Sequence, residues 1–441
     1  RQVTNNQITM SSTSRNILFI MCDQLRWDYL SCYGHPHLQT PHIDSLAVRG
    51  VRFDRAYVQS PLCGPSRACT YTGRSMFAHG ATWNNIPLRV DEWTMGDYLR
   101  GAGMRTVLVG KTHMRPDWAG LARLGVDADS AESLFITEAG FEPFERHDGL
   151  HPDQILDPNL RYNRWLNAQG YPGHNPWQTH ANSAVDERGT VVDGWLWRNV
   201  VHPANIAAEH SETAYMTNRA IEFMEHAGDE PWCLHLSYIK PHWPYIAPAP
   251  YHCLYRDDAI LPVERDEGER ADPHPVFEAF MQMRYSRAFE PESQRRAVVG
   301  AYMGLVKQID DEIGRILAHL TQTGLIDNTL IVFTSDHGDY LGDHWLGEKY
   351  LFHEPSVRLP LIIADPSESA EATRGTVETR FVEAIDLLPT FLDVAGGTPQ
   401  PQRLEGHSLL PLLQGASVAD WRDFTVSEID YSGREVRHLL R

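Results

Sequence analysis

Short strand-like runs, largely apolar and followed by a charged or imidazole side chain, recur along this chain, and they constrain its fold more than any other feature. Residues 16–22 (NILFIMC) end at Asp23-Gln24, and residues 104–109 lead into Gly110-Lys111-Thr112-His113. Residues 232–238 precede Lys240-Pro241-His242, and residues 329–334 (TLIVFT) end at Ser335-Asp336-His337-Gly338-Asp339. Runs of strand length without polar alternation suit strands covered on both faces. Two more strands are expected at 51–57 and 359–364. Helices are expected at 40–49, with Pro41 just inside the start and Gly50 past the end, and at 66–72, 94–100, 294–321 and 383–394. Strands alternating with helices predict an α/β fold with a mostly parallel sheet sandwiched by helices. Ligands bind outside the carboxyl edge of such a sheet, so Asp23, Lys111, His242 and Asp336 are expected to converge there.

The pattern dissolves over 141–210 and 241–290, where Pro, Asn, His and Trp dominate. Insertions this long are expected to be lids, binding loops or oligomer contacts. Trp165, Trp177, Trp195 and Trp197 read as core or interface residues rather than substrate platforms. One catalytic domain over 15–415 is expected, with 416–441 the start of a small, incomplete C-terminal subdomain that includes a strand at 425–429. Met10 followed by Ser-Ser-Thr-Ser reads as a natural start, and no signal peptide is recognised before it.

A formal net charge of −19 over 441 residues disfavours nucleic acid and anionic membranes as partners. An anionic ligand then needs a local pocket of Lys, Arg and metal. Six scattered cysteines do not suggest a disulfide framework, so a cytoplasmic location is expected.

Two carboxylates at neighbouring strand ends repel unless a cation or proton intervenes. The pairs Asp23-Gln24 and Asp336-His337 offer mixed oxygen and nitrogen donors, which suit Mn²⁺ or Ca²⁺ better than structural zinc. Read singly, each Asp could equally cap a turn. Cys63, in Leu62-Cys63-Gly64-Pro65-Ser66-Arg67, is placed at a helix N-terminus, where the dipole favours an anion. By spacing alone it reads as a buried small residue as readily as a nucleophile.

The longer segment changes that reading. Cys63-x-Pro65-x-Arg67 followed by Thr72-Gly73-Arg74 resembles the sequence by which sulfatases present a cysteine for oxidation to formylglycine (3-oxoalanine). Asp23-Gln24, Lys111-x-His113, Lys240-Pro241-His242, Ser335-Asp336-His337-Gly338 and Lys349 follow in the order of that family, over about 16–410. The resemblance implies the alkaline-phosphatase superfamily fold and one divalent metal held by Asp23, Gln24, Asp336, His337 and position 63. It implies that Arg67 orients the nucleophile, while Lys111 and Lys349 neutralise non-bridging oxygens. His242 would protonate the leaving oxygen and His113 would remove a proton to regenerate the aldehyde. Asn84 resembles a substrate-contacting Asn of part of the family. A formylglycine-generating enzyme is implied as a transient partner, and a homo-oligomer (dimer or tetramer) is expected.

The Asp-Gln and Asp-His pairs resemble the phosphonate monoester hydrolase and choline-sulfatase-like branches, whereas Lys111 and His113 resemble the sulfatase pair. The expected substrate is therefore a small anionic ester, first a sulfate ester, with promiscuity toward phosphonate monoesters and phosphodiesters. The alternatives are a phosphonate monoester hydrolase or phosphodiesterase using the same site, and an inactive metal-binding protein whose Cys63 stays a thiol.

Overall fold

The computed structural model describes residues 15–431. The expected start at Met10 and the last ten residues of the 416–441 segment lie outside the described residues. The strands are β1 (Asn16–Asp23), β2 (Val51–Tyr57), β3 (Arg105–Gly110), β4 (Glu142–Arg146), β5 (Ser183–Val185), β6 (Val191–Asp193), β7 (Trp232–Pro241), β8 (Thr329–Ser335), β9 (Arg358–Ala364) and β10 (Thr376–Glu383). The helices that matter below are α1 (Pro41–Arg49), α2 (Cys63–Thr72), α3 (Met95–Gly101), α4 (Glu212–His226), α5 (Glu292–Gln322) and α6 (Leu387–Val394).

Eight strands form one sheet in the order β10-β2-β9-β8-β1-β7-β3-β4, and β5 and β6 form a separate hairpin. Only β9 runs antiparallel to its neighbours in the large sheet. Every residue of β1, β7 and β8 is buried, which explains the apolar run in β1 and β8, while β7 also buries His235, Ser237 and Lys240. Alternation along β1 divides the interior in two. Leu18, Ile20 and Cys22 pack with α1, α4 and α5, whereas Ile17, Phe19 and Met21 pack with α2, α3 and α6. The mostly parallel, helix-covered sheet matches the expectation.

Several boundaries differ. Helix α2 begins at Cys63 rather than Ser66, because Pro65 fits its first turn. The helix expected over 383–394 starts only at Leu387. Before it, Glu383 closes β10 and its backbone N–H donates to Asp386 Oδ2 at 2.7 Å, which locks a turn. Residues 425–429 form no strand. They instead run past the ends of β2 and β10, where Val426 N donates to Glu383 Oε1 and Glu428 N to Gln59 O. Trp177 is fully buried, as expected, but Trp195 and Trp197 are only partly covered. Among the described residues no helix is long and apolar enough to cross a membrane.

Candidate active site

Three parallel strands, β8, β1 and β7, lie side by side, and β3 follows. Their carboxyl ends carry Asp336, Asp23, His242 and Lys111 respectively, so the convergence expected from sequence is realised. At the end of β1 the register with β7 shifts between Cys22 and Asp23. Gln24 then takes a left-handed backbone (φ 65°). Its N–H donates to Asp336 Oδ1 at 3.0 Å, which ties the two strand ends together.

Cys63 opens α2 over this edge and is 1% exposed. Its Sγ lies 3.0 Å from His337 Nε2, 3.3 Å from Lys349 Nζ and 3.7 Å from Asp23 Oδ1. Burial, reinforced by the Asp23 charge, pushes the thiol up to about 12, so as encoded Cys63 is a neutral thiol. Gly64 N donates to Asn84 Oδ1 at 2.8 Å, so that oxygen fixes the turn beside Cys63.

Arg67 is one helical turn along and fully buried. Its Nε donates to Asp336 Oδ2, and another guanidinium nitrogen donates to Lys111 O and Ser237 Oγ, each at 2.8 Å. Its remaining nitrogen has no hydrogen-bond partner among the described residues. Lys111 Nζ donates to Asp23 Oδ2. Burial opposes ionisation of Asp23, but Lys111, helped by His242 and Arg67, outweighs it and holds the carboxyl well below its ordinary range. Lys349 Nζ donates to Gln24 Oε1 at 2.8 Å.

The histidines are set by their backbone neighbours. His337 Nδ1 lies 2.9 Å from Gly338 O, so it donates there and leaves the Nε2 lone pair facing Cys63. His242 Nδ1 likewise donates to Trp243 O at 2.7 Å. Burial lowers both rings' affinity for a second proton. His113 has a left-handed backbone (φ 57°). Its Nδ1 is buried without a hydrogen-bond partner among the described residues. Burial and then Lys111 push it well below its ordinary range.

Donor atoms of Asp23, Cys63, Asp336 and His337 all lie within 4.8 Å of one another, and all four residues are buried. Two buried carboxylates with an imidazole nitrogen fit a divalent cation, and the Gln24 amide oxygen keeps a second lone pair beside them. Sequence reasoning missed Asp339, although it closes the Ser335–Asp339 motif. Its Oδ2 accepts from Gln24 Nε2 at 2.6 Å and Tyr245 OH at 2.5 Å, which turns the Gln24 oxygen toward Lys349. Ser237 was also missed, because within β7 it looks like any buried small residue.

The family described as Sulfatase matches residues 15–397. The multifunctional alkaline phosphatase superfamily protein PehA of Trinickia caryophylli is 32% identical over 437 residues, covering 95% of this chain and 81% of that protein. An arylsulfatase of Clostridium perfringens is 28% identical over 433 residues, covering 96% and 83%. The phosphonate monoester hydrolase from Silicibacter pomeroyi superposes with a TM-score of 0.80 at 32% identity, covering 94% of this chain and 80% of that one. With a sequence match of this extent and a strand-end site of this geometry, the chain belongs to the sulfatase family of the alkaline-phosphatase superfamily and is a hydrolase acting on sulfate or phosphonate esters.

Proposed function

We propose that this chain hydrolyses sulfate monoesters through a formylglycine formed from Cys63, with side activity on phosphonate monoesters and phosphodiesters. The observation that carries the reading is the cation set around Cys63. Lys349 contacts its sulfur, while Lys111 and Arg67 are held beside it by Asp23 and Asp336. A sulfate ester carries one negative charge spread over three free oxygens, and fixed cations oppose the charge that builds up as the ester bond breaks.

Asp23, Gln24, Asp336 and His337 would hold one divalent cation, Mn²⁺ or Ca²⁺, whose bound charge lowers the pKa of a hydroxyl at position 63. Arg67 fixes Asp336 and so the orientation of that metal-facing edge. Lys111 and Lys349 bind the non-bridging oxygens. His242, whose Nδ1–H is held by Trp243 O, passes a proton from Nε2 to the leaving oxygen once a bound anionic ester favours the ring's second proton, and His113 accepts one at its unpartnered Nδ1 when the nucleophile is regenerated. Because Cys63 is buried, conversion by a formylglycine-generating enzyme has to act on the unfolded segment.

The likeness to a phosphonate monoester hydrolase favours a second reading, in which a phosphonate or phosphate diester is the better substrate. A panel of matched aryl sulfate, phosphate diester and phenylphosphonate esters separates the two, on enzyme whose Cys63 peptide mass confirms conversion. The sulfate reading fails if the phosphonate ester is hydrolysed faster. An unconverted thiol with no turnover points instead to a metal-binding protein without activity.

A further inference from the structure

Beside the reacting centre is a cavity of about 640 Å³, within the size range of sites that enclose a whole small molecule. Its inner wall is made by Trp243 and Glu348, the chain neighbours of His242 and Lys349. The Trp243 ring lies 4.7 Å from that of His242, and Trp195 continues the wall with its ring 5.5 Å from Trp243. Trp197 also lines the cavity, backed by Phe289 at 4.5 Å. These tryptophans are flat, fixed apolar surfaces placed next to the proposed proton donor.

The charge around this cavity is opposite to that of the protein. Arg198 and Arg284 line it, both are exposed, and neither side chain makes an ion pair or hydrogen bond among the described residues. Ser293, in the first turn of the 31-residue helix α5, lines it too, so the positive end of a long helix dipole faces the same space. The one acid on the wall, Glu348, lies 3.6 Å from Lys349 Nζ, and that lysine offsets its charge. In a chain of net charge −19, unpaired arginines at the mouth of an aromatic cavity form a local site for an anion.

Building on the sulfate-ester reading above, we infer that the alcohol half of the substrate is a flat aromatic or fused-ring group bearing a second anion. The tryptophans hold the ring system, and Arg198 and Arg284 hold the distal anion, a carboxylate or a second sulfate. A small aliphatic ammonium alcohol does not fit: the volume is too large for it, and the arginines repel it.

The test uses full-length enzyme with converted Cys63 and two matched esters, 4-sulfooxybiphenyl and 4′-sulfooxybiphenyl-4-carboxylate, at low ionic strength. The carboxylate ester is expected to have a kcat/KM roughly tenfold higher, as suits one exposed charge-assisted contact. That ratio should fall to about one in the Arg198→Gln/Arg284→Gln double variant. It should persist in an Arg89→Gln/Arg123→Gln control, which removes two exposed surface charges elsewhere. A ratio of one or below in the wild type overturns the inference, as does a ratio the double variant leaves unchanged. Biphenyl-4-carboxylate, followed by tryptophan quenching, reports binding without any sulfate. If neither ester turns over but this probe binds the wild type and not the double variant, the reaction assigned above is wrong and the anion-and-ring subsite stands. If the probe binds both proteins equally, the subsite is wrong.

Discussion

Gly338→Ala tests whether the Asp336-His337 turn is held by close backbone packing. Gly338 donates its N–H to Ser356 O at 2.9 Å, and a Cβ built there would meet Pro355 O at 1.9 Å. Real Cβ contacts do not go below 3.0 Å, so one backbone must move by about 1.1 Å, the difference between the two distances. Pro355 sits in a buried turn whose next residues pair with β2's exit, through Val58 N to Val357 O at 3.0 Å. The strain therefore falls on the other side, on Gly338, whose carbonyl fixes the His337 ring. Overpacking of this kind costs about 1–3 kcal/mol of stability. A misplacement of about 1 Å at a catalytic turn costs on the order of 100-fold in rate. The measurements are urea unfolding and kcat/KM on an aryl sulfate, with Cys63 conversion and metal content matched to wild type. A rate within threefold of wild type, with unchanged stability, would refute the claim that this contact sets the site.

Arg67→Lys keeps the charge but loses the fork that joins Asp336, Lys111 O and Ser237. Leaving buried acceptors such as Lys111 O without their donor costs about 1–3 kcal/mol, so unchanged stability by urea unfolding would count against this bridge. Mn²⁺ or Ca²⁺ at a hundredfold excess over its Kd should add about 2.7 kcal/mol to the stability of the native protein. Asp336→Asn should abolish that gain, and thermal scans showing no metal-dependent shift would sink the cation site. His147 and His235 are buried and held down to about 3 against an ordinary 6.5, by burial first; Asp148 opposes this at His147, where Lys240 and Lys111 add to it, and Arg67 adds to it at His235. The unfolded chain takes up protons on both rings below 6.5 while the folded one does not, so stability is full above 6.5 and falls toward 3. At pH 4.5 each ring contributes on the order of 2–3 kcal/mol of this loss. Unfolding free energies that stay level between pH 7.5 and 4.5 would contradict it.

The strands at the centre of the sheet were legible because burial on both faces leaves no polar residue in β1 or β8 until the strand ends. The polar residue that follows therefore marks the edge of the sheet, and Asp23, Lys111, His242 and Asp336 could be placed on it without coordinates. Edge strands β4 and β10 were not legible: half-exposed, with sequences EPFER and TVETRFVE, they carry no apolar run. Cys63 gained meaning from the order of motifs, since its own spacing also fits a buried small residue.

Other features were decided by tertiary structure alone. Asp339 and Ser237 hold Gln24 and Arg67 through contacts some 315 and 170 positions apart in the chain, a distance at which no local pattern exists. Trp195 and Trp197 read from sequence as core or interface, yet they line the cavity beside His242, because an aromatic side chain buries equally well against protein or ligand. What the sequence determined is which residues end the strands. What only the fold determined is which side chains hold them in place and what shape of molecule fits beside them, since both depend on loops whose sequence has no periodicity to read.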